Sequence, residues 1–449
     1  MEISTLSLAR TQFAITVNFH VLFAAFAMTL SWILCVFKYR SFRQPDSAWT
    51  AAYRFWVRIF ALAFFVALAS AVPVLVDFGI IWPALMERAG NVAGPIIACG
   101  ITTLFVTKSV FFGVMLFGQR RVSPLSHLIS VLMVSLGLTA TVFWEVVLQS
   151  WSHIPQGTIL VEGRLQVDDW IEVILNPALG WYGLLYATGG LFVVGSLMLG
   201  LTAWQAGRRP LEESERLVYR TGAMICCIAA VLQLFVLDGV ARQNARIHPI
   251  AAAATMGYWD AGSEPDMVWL GWPDKQYQTT DVLIGTERLA ARWLGINPES
   301  KDRISLEAVS EDNEMPAVQS LFWLVRIALV GSFLMLLQLF ATAYVVFTRG
   351  DQINKYPVWL LRVQVWMSGL GAIVWSSSWN WVQLSQVRYL VSGLFREEDL
   401  VTNATTYALM GGLVASLLLY LALFAGFIQM VLHAARFGVV PVRKPGVVK

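Results

Sequence analysis

Nine apolar stretches, each longer than the roughly 20 residues needed to cross the hydrocarbon of a bilayer, constrain this chain more than any motif. They run over 13–37, 56–81, 96–118, 125–149, 179–204, 219–241, 318–347, 357–379 and 405–434. Hydrocarbon offers the backbone no partners, so each stretch must close its own hydrogen bonds as a helix. The expectation is an all-α integral membrane protein, a bundle of nine transmembrane helices. Composition agrees: 57% of the residues are hydrophobic and only 14% charged, against about a quarter charged in soluble domains. A net charge of +3 with no basic tract gives no case for nucleic acid.

The loops orient the bundle. Lys38, Arg40, Arg43, Arg54 and Arg58 fill the first connection, Arg120 and Arg121 the third, and Arg208, Arg209, Arg216 and Arg220 the fifth. Arg349 and Lys355 sit in the seventh, and Arg436, Arg443 and Lys444 in the tail. The alternate short loops carry few, Arg88 in the second and Arg164 in the fourth. Basic residues stay on the cytoplasmic side, which predicts an outer N-terminus and a cytoplasmic C-terminus. The first helix lacks a small-residue cleavage site and reads as retained. Residues 1–241 then form helices one to six, 242–317 an extracytoplasmic segment, and 318–449 helices seven to nine with the tail. The middle segment is polar, with Asp260, Glu264, Asp266, Asp274, Glu307, Glu311 and Glu314. Segments of this length inside a compact chain are usually functional.

Ionisable residues within membrane spans are costly and mark functional positions by default. His20, Asp77, Lys108, Glu145 and Arg326 stand out on that ground. Lys108 is near the middle of its span, too central for simple snorkelling, and suits a partner subunit. His127 reads as a boundary residue, and His153, His248 and His433 as solvated. Cys35, Cys99, Cys226 and Cys227 have no metal-ligand spacing and read as small buried hydrophobes. The tryptophans, including Trp375, Trp379 and Trp381, read as an interfacial belt.

Several short motifs in fixed order extend the reading. They are Arg10…Gln12-Phe13…His20, Phe78-Gly79…Trp82, Gly113-Val114-Met115-Leu116-Phe117-Gly118 and Phe143-Trp144…Ser150-Trp151…Pro155-Gln156-Gly157. Asn176-Pro177, Gly271-Trp272-Pro273-Asp274, Phe322-Trp323…Arg326 and Ala435-Arg436…Gly438 complete the set. With these motifs the chain resembles subunit I of cytochrome bd oxidases over nearly its whole length. The resemblance implies a nine-helix bundle, haem and quinol chemistry, and a second membrane subunit. It also implies that His20 is an axial haem ligand and that Arg326 lies beside the low-spin haem.

The same resemblance exposes departures. The family's low-spin haem ligands, a histidine and a methionine, fall on Leu185 and Ala328, neither of which has a lone pair for iron. Two carboxylates of span three fall on Gly100 and Lys108, which cannot do carboxylate work. A glutamate ligand in the last span falls on Phe427. The quinol-binding lysine and glutamate fall on Ala251 and Met256, and the signature after span eight is reduced to Ser385-Gln386-Val387-Arg388-Tyr389. The expectation is at most one haem, at His20, with the low-spin haem and quinol site absent. His20 has a plainer alternative, a buried imidazole bonded to a neighbouring helix.

Three functions follow from these readings. The first is a haem-depleted subunit of a respiratory electron-transfer complex, partnered with a redox-active bd-type paralogue or second subunit in a bacterial or archaeal cytoplasmic membrane. The second is a redox-active subunit with one haem at His20 that reduces oxygen or a related oxidant. The third is a non-redox transport or assembly scaffold in which Lys108, Glu145 and Arg326 line an ion path. In the first case Trp181, Tyr182 and Tyr186 should fill the vacated haem space, and Arg326 should pair with Asp77 or Glu145.

Overall fold

A computed structural model describes residues 5–45, 47–299, 301–309, 315–350 and 352–437. Glu311, Glu314, Gly438, Arg443 and Lys444 lie outside the described residues. The apolar runs become helices α1 (Thr5–Arg43), α2 (Ala48–Ile80), α3 (Pro83–Arg120), α4 (Pro124–His153), α5 (Leu179–Ala206) and α6 (Glu213–Ile247). A short helix α7 (Pro249–Met256) follows, then α8 (Val318–Arg349), α9 (Val358–Leu384) and α10 (Thr406–Phe437). Among the described residues, nine helices are long and apolar enough to cross a membrane, all but α7.

Local chemistry fixes the ends. Ser123 caps α4 by accepting from the Ser126 backbone N–H at 3.1 Å, and Glu212 with Glu215 forms a capping box at the start of α6. Gly257 ends α7 in the left-handed region at φ 68°, where a side chain would be strained. Inside α3, Lys108–Phe112 form a π turn, a one-residue bulge that resets the side-chain register at mid-span. α5 is the most enclosed span and α10 the least.

The segment between α6 and α8 lies over one end of the bundle, called here the loop end. It contains α7 and an antiparallel hairpin of β1 (Met267–Asp274) and β2 (Thr279–Thr286). Arg326 ties it down. Its guanidinium donates to Val268 O at 2.9 and 2.6 Å, Thr255 O at 2.8 Å and Phe322 O at 2.6 Å, and lies over the Phe322 ring. Arg326 therefore pairs with neither Asp77 nor Glu145, contrary to expectation. Backbone carbonyls at helix and strand ends meet its fork of donors, so no carboxylate is needed.

Two further expectations are overturned. Trp375, Trp379 and Trp381 are not a belt: they are 2%, 3% and 1% exposed, packed in the interior. His153 is 2% exposed and bonded to His248, so neither is a free solvated side chain. Helix ends are polar on average, but here the loop segment reaches Trp381 and His153 through Thr255 and His248, and Tyr186 of α5 packs on Trp375 and Trp379.

Candidate functional site

Gln12, Thr16 and His20 recur every four residues and so share one face of α1. Gln12 donates to Asp77 Oδ1 on α2 at 2.9 Å, while the other carboxylate oxygen is buried and unbonded. Two turns deeper, His20 Nδ1 lies 3.1 Å from Ala67 O and 3.2 Å from Ser70 Oγ. Ser70 donates its own hydrogen to Ala67 O, so Nδ1 carries a hydrogen and Nε2 points across the bundle. There Nε2 meets Glu145 Oε1 of α4 at 3.4 Å. Two bare acceptors would repel at that distance, so a hydrogen lies between them, carried by one of the two. Tyr186 of α5 reaches the other oxygen, donating to Glu145 Oε2 at 2.9 Å with Val21 O at 3.1 Å. The site is thus a four-helix junction holding His20, Glu145, Tyr186 and Ser70.

The space beside His20 is small, whereas Tyr186 also borders an open apolar groove of about 730 Å³ between α1, α4, α5 and α6. A cavity of about 30 Å³ lies between His20, Glu145, Ala24, Phe64, Leu104 and Leu138. That is room for about one water. Leu185 and Ala328 are 3% and 0% exposed. Beside Leu185 sits an aromatic cluster: Trp375 and Trp379 stack at 5.4 Å, and Tyr186 stands edge-on to each at 5.7 Å. Of the three expected fillers, Tyr182 and Tyr186 are each 1% exposed, whereas Trp181 turns away to pack on α6 against Phe235 and Gly239.

The other singled-out residues do not converge here. Lys108 is exposed at the π turn of α3, and no ion pair among the described residues joins Lys108, Glu145 and Arg326 to one another. Ala251 and Met256 are buried in α7 at 1% and 2% exposure. At the loop end, Arg10 forms an ion pair with Glu397 beside a cavity of about 330 Å³, and Arg388 bonds Glu398 at 2.9 Å. A second cavity, about 340 Å³, is lined by His248, Pro249, Ser385, Gln386 and Arg388.

The partnership that sequence reasoning missed is His153 Nδ1 to His248 Nε2, at 2.9 Å. The spacing of Glu145, Gln149 and His153 was a readable signal for one polar helix face, but His248 comes from 95 residues away. Burial pushes His248 down to about 4, because an imidazolium there would lose its water. The unfolded chain takes up a proton near pH 6.5 that the folded chain refuses until about pH 4. Stability is therefore expected to fall as pH drops through that window, by roughly 2–3 kcal/mol, and to level off below it. Thermal unfolding of wild type against His248→Gln between pH 7 and 4 checks this: the variant should lack that part of the slope.

The comparisons with known proteins agree with this architecture. The family model described as cytochrome bd terminal oxidase subunit I matches residues 8–439. The chain is 22% identical to cytochrome bd ubiquinol oxidase subunit 1 of Bacillus subtilis (strain 168), over 97% of this chain and 94% of that protein. It is also 22% identical to the putative cytochrome bd menaquinol oxidase subunit I of the same organism, over 92% of this chain and 96% of that one. The solved structure of bd oxidase from Geobacillus thermodenitrificans superposes with a TM-score of 0.84 at 18% identity, covering 96% of this chain and 98% of that chain. With 432 of its residues (8 through 439) inside the family model, the chain belongs to the cytochrome bd terminal oxidase subunit I family.

Proposed function

We propose that this chain is a haem-depleted subunit of a respiratory membrane complex, working beside a redox-competent paralogue or second subunit. The observation that carries the reading is the packed space around His20 and along α5. Leu185 and Ala328 offer iron no lone pair and are buried, and Tyr182, Tyr186, Trp375 and Trp379 are packed in the interior beside α5. Room for about one water beside His20 does not fit a porphyrin. The residues present therefore do not match the haems that the family implies, and no electron-transfer step is assigned to them. Ala251 and Met256, apolar and buried, give a quinol headgroup no charged partner on this chain.

The basic loops support a loop end facing outwards, with 242–317 an extracytoplasmic segment between two groups of spans. The location proposed is a bacterial or archaeal cytoplasmic membrane. Lys108, exposed at mid-span, supports a membrane partner that brings it an acceptor, since an ammonium in lipid is costly.

A second reading keeps one haem at His20. Its support is the ring itself: Nδ1 is anchored on Ala67 O, which leaves Nε2 aimed inward as in a metal-bound histidine. It requires Glu145 and the surrounding side chains to move. The test is a pyridine haemochrome and iron assay of the purified chain. At most one haem per chain is expected, lost in His20→Ala and kept in Leu185→Ala. Two or more haems on this chain alone would sink both readings.

A further inference from the structure

Asp77 is 3% exposed in the last turn of α2, and no ion pair among the described residues includes it. Its position adds to the cost, because the carbonyl end of a helix carries partial negative charge and favours cations over carboxylates. Arg10, two residues before Gln12, is turned to Glu397. Gln12 Nε2 donates to Asp77 Oδ1, which leaves Oδ2 buried and unbonded. Three more buried oxygens are unbonded there: Gln12 Oε1, Thr16 Oγ1 and Tyr420 Oη, on residues 7%, 0% and 4% exposed. Thr16 neighbours both Asp77 and Tyr420. Its hydroxyl forgoes the bond to the carbonyl one turn back, which those of Thr11, Thr103, Thr141 and Thr188 make. Gln12 Oε1 faces α10 at Gly412, where a Cβ would come to 2.9 Å from it. Buried polar atoms are almost always satisfied, so orphaned oxygens around an unpaired carboxylate call for a positive partner.

We propose that Asp77, Gln12, Thr16 and Tyr420 form a sodium site that joins α10 to α1 and α2. The donor set fixes the class of ion. All four groups offer oxygen, which selects hard cations over zinc or copper. Among the described residues, no group of three or more His, Cys, Asp or Glu gathers to hold a metal ion of that softer kind. One carboxylate balances one positive charge, whereas calcium takes about six to eight oxygens, with several carboxylates among them. The cluster is closely packed, with Thr16 and Asp77 buried and Gly412 against Gln12, which favours Na+ over the larger K+. Asp77 supplies the charge, Gln12 and Thr16 supply neutral dipoles, and Tyr420 supplies the link to α10. That link matters because α10 is the least enclosed span. Lipid gives helices no hydrophobic reason to associate, so polar contacts between them carry more of the load. The inference is independent of haem content, because none of the four side chains bonds His20.

The test uses the full purified chain in detergent at fixed pH and ionic strength, with choline as the replacement cation. Radioactive sodium should bind at one ion per chain, and excess potassium should compete poorly. The unfolding temperature should rise by about 1–2 °C for each tenfold increase of Na+ above the dissociation constant, as binding to the folded state alone requires. Potassium and choline should give no such rise. Asp77→Asn should weaken sodium binding at least about tenfold, a factor equal to ~1.4 kcal/mol, and flatten the temperature response. Thr16→Val keeps the shape and removes the hydroxyl, so it should weaken binding by a smaller factor, and it decides where Asp77→Asn fails to fold. Ser130→Ala, at the far end of α4, should leave binding unchanged. No bound sodium, equal binding of sodium and potassium, or a sodium response undiminished in these two site variants would overturn the proposal. So would an infrared carboxyl band of Asp77 at saturating sodium, lost in Asp77→Asn, because a proton would then hold the place of the ion.

Discussion

Arg326→Ala is expected to destabilise the protein by about 3–5 kcal/mol, because it strips donors from two buried carbonyls outside its own helix and each orphaned group costs roughly 1–3 kcal/mol. Those carbonyls belong to Thr255 at the end of α7 and Val268 in β1, while Phe322 O keeps the helical bond from the N–H of residue 326. The guanidinium is 2% exposed, and water cannot replace it without opening the contact between hairpin and bundle. The loss should be local before it is global: protease should cut within 242–317 before the spans unfold. Arg326→Lys should recover only part, since a point charge on a flexible stem cannot reproduce a planar fork. Unfolding temperature and the rate of nicking in detergent measure both effects. Wild-type resistance to nicking in Arg326→Ala would refute the anchoring role.

Trp375→Ala is expected to cost a comparable amount, about 3–5 kcal/mol, as large aromatic truncations in packed interiors do. Trp375 stacks on Trp379, supports Tyr186 edge-on, and lies so close to Gly189 that a Cβ there would collide with its ring. Gly189→Val should therefore also destabilise, by overpacking instead of by a void. Tyr186 positions Glu145, so the same truncation should loosen the His20–Glu145 contact. An unfolding temperature for Trp375→Ala equal to that of wild type would show that the cluster does not hold this interior together.

Much of the architecture was legible in one dimension. The nine spans follow from the length of the apolar runs, because a backbone in hydrocarbon has helix as its one local solution. Gln12, Thr16 and His20 on α1, and Glu145, Gln149 and His153 on α4, are visible as faces from spacing alone. The residue types at Leu185, Ala328, Gly100 and Lys108 were enough to question the family's metal chemistry, since ligation depends on which atoms a side chain possesses.

Partners were a different matter. Arg326 was expected to seek a carboxylate, yet it found carbonyls 58 and 71 residues away that no periodicity announces. His153 and His248 looked like solvated loop residues, and Trp375 and Trp379 like interfacial anchors, because their sequence neighbourhoods are helix ends. The sequence determined which segments cross the membrane, which faces are polar, and which side chains have no lone pair to give. Only the tertiary structure decided that a folded-back loop segment would bury those helix ends, that Glu145 would face His20, and that aromatic rings would occupy the centre. The reason is physical: helical periodicity is local, whereas burial depends on what arrives from elsewhere in the chain.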